Sequence, residues 1–276
     1  MASSRVTKIP LVRKHSRRAR GARRFLRRWH GRVRWARRKF AAAPRTARIA
    51  VIGVAALALF SVTNLVYHVA RKPTELLYPV SSALNKMPEE TWRHYGSLFR
   101  EYSTDAISPE LLAALAQVES AGNPVARTYW RWRLSWNPLA IYQPASSAVG
   151  TYQMTDAAFA DARRYCIRDH AVVEGCWFNG LYTRIVPSHA VELTAVSLDR
   201  GVAAILAARP RAAPSKRQKE ELATIIHLCG PTAARGFARR GFTLAPGERC
   251  GDHDAATYLA RVAAMKRVFL RFAAAG

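Results

Sequence analysis

Apolar residues in this chain recur at intervals of three and four, and no stretch alternates apolar and polar for long. That periodicity predicts an all-α body. Its clearest segment is 107–124, ISPELLAALAQVESAGNP. Ser108 suits an N-cap and Pro109 the first helical position. Leu112, Leu115 and Glu119 follow at i, i+3 and i+7, and Leu111, Leu115 and Val118 repeat the pattern. Glu119 therefore continues the apolar stripe, and Gly122 and Pro124 end the helix. A helix opened by Pro88, Glu89 and Glu90 precedes it, with Trp92, Tyr95, Leu98, Phe99 and Tyr102 on its apolar side. Downstream, Thr155 caps a helix with Phe159, Ala162 and Cys166 on one face. Ser188 caps a longer one carrying Val191, Ala195, Leu198, Val202 and Leu206, stopped by Pro210. Another runs from Ser215 through Leu222, Ile225 and Ile226 to Gly230-Pro231. The last begins near Asp252 or Asp254 and carries Tyr258, Val262, Met265 and Phe269.

The longest apolar run lies upstream. Between Arg48 and Arg71 are 22 residues without formal charge. As a helix they span roughly 33 Å, about one bilayer core. They predict an uncleaved membrane anchor, since a long charged segment precedes them. A buried core helix is the alternative.

Charge gives the anchor a direction. The net charge of +26 is concentrated in residues 1–48, which hold 18 Lys or Arg and no acidic residue. The rest has 26 basic and 18 acidic residues. Flanking Lys and Arg resist translocation, so the arm is expected in the cytoplasm on anionic lipid and the body outside the inner membrane. A nucleic-acid role for the arm is the rival reading, and no specific nucleic acid is expected. The predicted organisation is a basic arm (1–48), a transmembrane helix (49–70), a linker (71–87) and a catalytic domain (88–276). Cys166, Cys176, Cys229 and Cys250 all lie in the body, an even count that suits two disulfides in an oxidising compartment. Three pairings are open, with the short-range set favoured. Spacings of 9, 52 and 20 intervening residues give no metal-site pattern.

Residues 125–154 lack clean periodicity and hold Tyr129, Trp130, Trp132, Trp136 and Tyr142 among Arg127, Arg131 and Arg133. They read either as a sugar-binding cleft, with rings stacking on sugar faces, or as a loop that buries its own rings.

A carboxylate ending a buried stripe is a candidate acid of raised pKa; the alternative is a side chain that bends into water. The run ALAQVES-AGNP, followed by SSAVGTYQMT, resembles the soluble-lytic-transglycosylase domain of peptidoglycan-cleaving enzymes, which is goose-lysozyme-like. Glu119-Ser120 matches that family's Glu-Ser helix end, and Gly150-Thr151-Tyr152-Gln153-Met154 its Gly-Gln stretch. His227-Leu228-Cys229-Gly230 stands where a Tyr-Asn-Gly element belongs but lacks the Tyr-Asn pair. Tyr258 matches a C-terminal tyrosine. The resemblance covers about residues 90–272, with a longer gap than usual between Asn123 and Gly150. It implies a lysozyme-like helical fold and cleavage of the β-1,4 bond of peptidoglycan strands to 1,6-anhydro ends, with Glu119 as acid and then base. Ser120, Tyr152, Gln153, Met154 and Tyr258 would line the substrate cleft or orient Glu119.

Core or backbone-tying roles are the alternatives for Gln153 and Tyr258, and His227 reads as a satisfied helix-end histidine. Glu192, early in its helix, is a candidate second carboxylate that would allow hydrolysis instead. A non-catalytic peptidoglycan-binding or envelope-assembly module is a further alternative. No HExxH, GxSxG or phosphate-cradling glycine loop is present, so no metal or cofactor is expected.

Overall fold

The computed structural model describes residues 14–209 and 213–275. The chain divides into two units, Met1–Leu65 and Val66–Gly276. The expected helix stop at Pro210 lies outside the described residues.

The first unit holds α1 (Lys14–Ala42) and most of α2 (Arg45–Arg71). α1 carries Leu26, Trp29, Val33 and Phe40 at helical spacing among arginine and alanine, both good helix formers. α2 is long and apolar enough to cross a membrane. Ile49, Ile52, Val54, Leu57, Leu59, Val62 and Leu65 are all exposed. A core helix would have these side chains covered by protein, so the core-helix alternative does not hold.

The second unit is mostly helical, built on α4 (Pro88–Glu101), α5 (Pro109–Ser120), α6 (Asp156–Ala162), α7 (Pro187–Ala207), α8 (Lys216–Arg239) and α9 (Ala255–Ala275), with α3 (Tyr78–Ser81) a single turn. α5 is its axis. Leu111, Leu112, Ala113, Ala114, Leu115 and Ala116 are all buried, so the helix is enclosed on every side rather than along one stripe. It packs against α9 and α4, while α7 packs against α8. Ser108 caps α5, accepting the Leu111 N–H at 3.2 Å and donating to Glu220 at 2.6 Å; Lys266 pairs with the same Glu220. The start of the axis is thereby tied to α8 and α9.

The body is mostly helical, as expected, with short hairpins added to the all-α plan. Among the described residues three antiparallel hairpins are present: β1 (Trp130–Trp132) with β2 (Tyr142–Pro144), β3 (Tyr165–Arg168) with β4 (Ala171–Glu174), and β5 (Arg249–Cys250) with β6 (His253–Asp254). Each is too short to give a period-two signal. Cys166 consequently sits on β3, since α6 ends at Ala162. Thr155 does cap α6, whereas Ser188 lies inside the first turn of α7 behind Pro187. α8 consists of two helical segments. The helix opened by Ser215 does end at Gly230-Pro231: Gly230 (φ 77°) is non-helical, and a second helix begins at Pro231 and runs to Arg239. The disulfides are Cys166–Cys176 and Cys229–Cys250, the short-range set. The second fastens the α8 break to β5.

The segment expected to be a linker, 71–87, is largely exposed at Leu76, Val80, Leu84 and Met87 but is tied to the body at a few points. Glu75 is buried, accepting from Arg127 at 2.7 Å and from the Trp130 indole N–H at 2.8 Å, with Lys72 at 3.4 Å. Asn123 donates to the Ser81 carbonyl at 2.6 Å and to Asn85 at 2.8 Å. A charge buried this deeply holds its partners in place, because removing any one leaves the rest uncompensated.

Gly150 opens the turn after the β1–β2 hairpin with φ +83°, and an added Cβ would lie 2.1 Å from the Arg184 carbonyl oxygen. Gly150→Ala is expected to cost at least about 2 kcal/mol in chemical denaturation. Gly175→Ala, at φ +80° but facing open space, should cost only about 1–2 kcal/mol. Equal losses would show that the close approach to Arg184 is unimportant.

Candidate active site

α5 delivers Glu119 one residue before its end, with its side chain 18% exposed. The carboxylate is thus at the edge of the core, neither sealed in nor bent into water. Its Oε1 accepts a hydrogen bond from the Tyr258 hydroxyl of α9 and lies 3.6 Å from Nε2 of His227 on α8. Among the described residues no donor occupies Oε2, so that oxygen is left for a ligand.

The electrostatics run against the raised-pKa expectation. Burial alone pushes the Glu119 carboxyl up. Hydrogen bonding and charge from His227, the Tyr258 hydroxyl and the charge of His253 together outweigh it, and hold the carboxyl below the usual carboxylate range. Apolar periodicity showed the burial but not these three partners. Tyr258 moves the other way: burial and the neighbouring Glu119 charge push its phenol up, so it remains a donor.

The two expected motif segments meet. Ser120 Oγ donates to the Thr151 carbonyl at 2.7 Å and accepts the Asn123 N–H at 3.2 Å. It therefore clamps the 150–154 turn to the end of α5. Gln153 adopts φ 47° and donates to the carbonyls of Ala126 and Gly150, each at 3.0 Å. Its amide N–H groups tie down the loop; its Oε1 has no such bond. Gln153, Met154, Thr194, Ser197 and His227 line a small cavity of about 100 Å³. The Thr194 hydroxyl there is buried without a partner.

Two expected site residues stand elsewhere. Tyr152 is a core residue, fully buried with its hydroxyl unpartnered, and burial pushes its phenol well up. In a turn pinned at Gly150 and Gln153, the intervening ring points inward. Glu192 is buried on α7, where its oxygens accept the Ile167 N–H at 2.9 Å and the Tyr182 hydroxyl at 2.8 Å. One oxygen ties β3 to α7, and the other holds the segment that carries Tyr182. None of the groups around Glu119 touches it.

From the residues His227 reads only as a satisfied helix-end histidine, and His253 does not stand out. The signal was available in the cysteines. His227 lies two residues before Cys229, and His253 three after Cys250. The 229–250 disulfide therefore draws both imidazoles to the same end of α8.

Comparison with protein-family models finds no match to the chain, and no curated protein matches it.

The carboxyl of Glu119 is titratable by carbon NMR. His227→Ala and Tyr258→Phe are each expected to raise its pKa, and an unchanged value in both would contradict the assigned cause. The sign for stability follows. A depressed folded pKa stabilises the native state above the unfolded carboxylate range, and this is lost as pH falls through the folded value. His227→Ala should therefore lose less stability than the wild type on acidification.

Proposed function

We propose that the protein is a membrane-anchored peptidoglycan lytic transglycosylase with Glu119 as its acid and base. The observation that carries the reading is the division of labour on one carboxylate. Tyr258 and His227 engage Oε1, while Oε2 stays open beside the Ser120-clamped turn. Cleaving a glycosidic bond requires a proton on the leaving oxygen, and a carboxylic acid supplies it.

In the first step the proton on Oε2 passes to the glycosidic oxygen and the bond to the anomeric carbon breaks. The N-acetyl oxygen of the same sugar stabilises that carbon. In the second step Oε2, now ionised, takes the proton of the 6-hydroxyl, whose oxygen bonds to the anomeric carbon. A 1,6-anhydro ring results and no water is consumed. Tyr258 holds the rotamer throughout and stabilises the ionised form between steps. One carboxylate suffices, which agrees with Glu192 being engaged elsewhere.

Hydrogen bonding and charge from His227 favour the Glu119 carboxylate, which opposes the protonated form needed first. Excluding water with a bound glycan strand pushes the carboxyl back up. The altered third motif also loses its weight as evidence for a non-catalytic module, since His227 lies beside Glu119. The apolar helix α2 and two disulfides in the body support placement outside the inner membrane.

Glu119→Gln keeps the shape of the side chain and removes the acid. It should lower release of soluble muropeptides from purified sacculi by roughly 10²–10⁴-fold. Release at the wild-type rate would overturn the proposal. His227→Asn should carry activity to higher pH than the wild type sustains.

A further inference from the structure

The β1–β2 hairpin carries the most exposed aromatic surface of the second unit, and the proposed chemistry does not use it. Trp136 and Leu134 are 104% and 102% exposed, and Trp132 is 70% exposed. Trp132 stacks on Tyr142 at 4.6 Å, so its ring is held rigidly although it faces solvent. Arg131 and Arg133 beside these rings are exposed. None of the residues around Glu119 belongs to the hairpin.

What lies under the hairpin is the end of the apolar helix. His68, in the last turn of α2, hydrogen-bonds the Leu139 carbonyl at 2.9 Å and meets the Trp130 ring edge-on at 5.2 Å. Lys72, just past that turn, donates to the Ala148 carbonyl at 2.9 Å. The uncharged run ends at Ala70, two residues beyond His68. Three residues separate Trp136 from Leu139, so its Cα lies no more than about 11 Å from a residue bonded to His68. A bilayer's headgroup layer is only about 5–8 Å deep on each side of its core. A span ending at Ala70 leaves the hairpin tip within reach of that layer. Indole rings favour that layer, having an apolar body and a polar N–H. Guanidinium groups beside them match lipid phosphates.

We propose that the β1–β2 hairpin is an interfacial foot. Trp132, Leu134 and Trp136 enter the headgroup layer of the leaflet in which the span ends, and Arg131 and Arg133 contact its anionic phosphates. The second unit is thereby held against the bilayer surface at two points, the end of α2 and the hairpin tip. This rests on reading α2 as a membrane anchor, and not on Glu119 being catalytic.

The test uses the full chain in phosphatidylethanolamine–phosphatidylglycerol vesicles whose acyl chains are brominated near the headgroup. Bromine quenches tryptophan emission only at close range. Trp136→Phe should lose a quenched component that Trp177→Phe retains; Trp177 is 91% exposed but lies on another loop. Both positions are so open that neither variant threatens the fold. Equal quenching in the two variants, with the chain floating with the vesicles, overturns the foot and leaves the anchor standing. A chain that fails to float overturns both. Emission quenched by soluble muropeptides but not by bromolipid, through Trp136, also overturns it and makes the hairpin a sugar platform.

Discussion

A helix buried on every side cannot end in a charge unless other elements converge to receive it, and α5 does so. Its six consecutive buried residues make it the axis of the second unit. Its last turn then presents Glu119 to α8 and α9, which supply His227 and Tyr258. The cost of bringing a carboxylate to the edge of an apolar core is offset only by such donors. Other features serve the same convergence. The Cys229–Cys250 disulfide pins the α8 break, Ser120 clamps the 150–154 turn, and Ser108, Glu220 and Lys266 lock the far end of the axis. The same donors that make burial tolerable draw the carboxyl below its usual range. Under the proposed function, stability of the site and readiness to donate a proton are therefore in tension, and a bound strand that excludes water would shift the balance towards the acid.

How much of this is legible in the residues depends on distance along the chain. The helices of the body, the Ser108 and Thr155 caps and the apolar span α2 are local, and local period and cap chemistry report them well. The break at Gly230-Pro231 is legible too, because a glycine and a proline in sequence read as a stop, while the second helical segment to Arg239 is not. The three hairpins are too short to impose a period. Burial of Glu119 can be read from its place on the stripe, yet its pKa direction cannot, since His227 and His253 are 108 and 134 residues downstream. Tyr152 and Gln153 show the same limit. A motif names the pair, but only the turn geometry sends one ring inward and ties the other's amide to the backbone.

The junction between the apolar helix and the body carries a second buried charge, handled in the opposite way. Glu75 is sealed from solvent: Arg127 and Trp130 donate to Oε2, and Oε1 faces Lys72 at 3.4 Å. That cluster joins the strap after α2 to the β1–β2 hairpin. Glu119 is left partly open and Glu75 is closed, a contrast that separates a chemical site from a structural tie. The division of charge along the chain agrees with this plan. The basic excess sits in residues 1–48, and the body keeps only a mild positive balance, suited to an anionic wall surface.

The central claim is that Glu119 alone performs both proton transfers and that water takes no part. The most direct measurement is the mass of the products released from purified sacculi by the full chain in ¹⁸O-labelled water. The account predicts 1,6-anhydromuramyl ends, lighter than a reducing end by one water and free of label. Reducing muramic acid ends that carry ¹⁸O would contradict it and require a water-activating group that Glu119 and its neighbours do not supply.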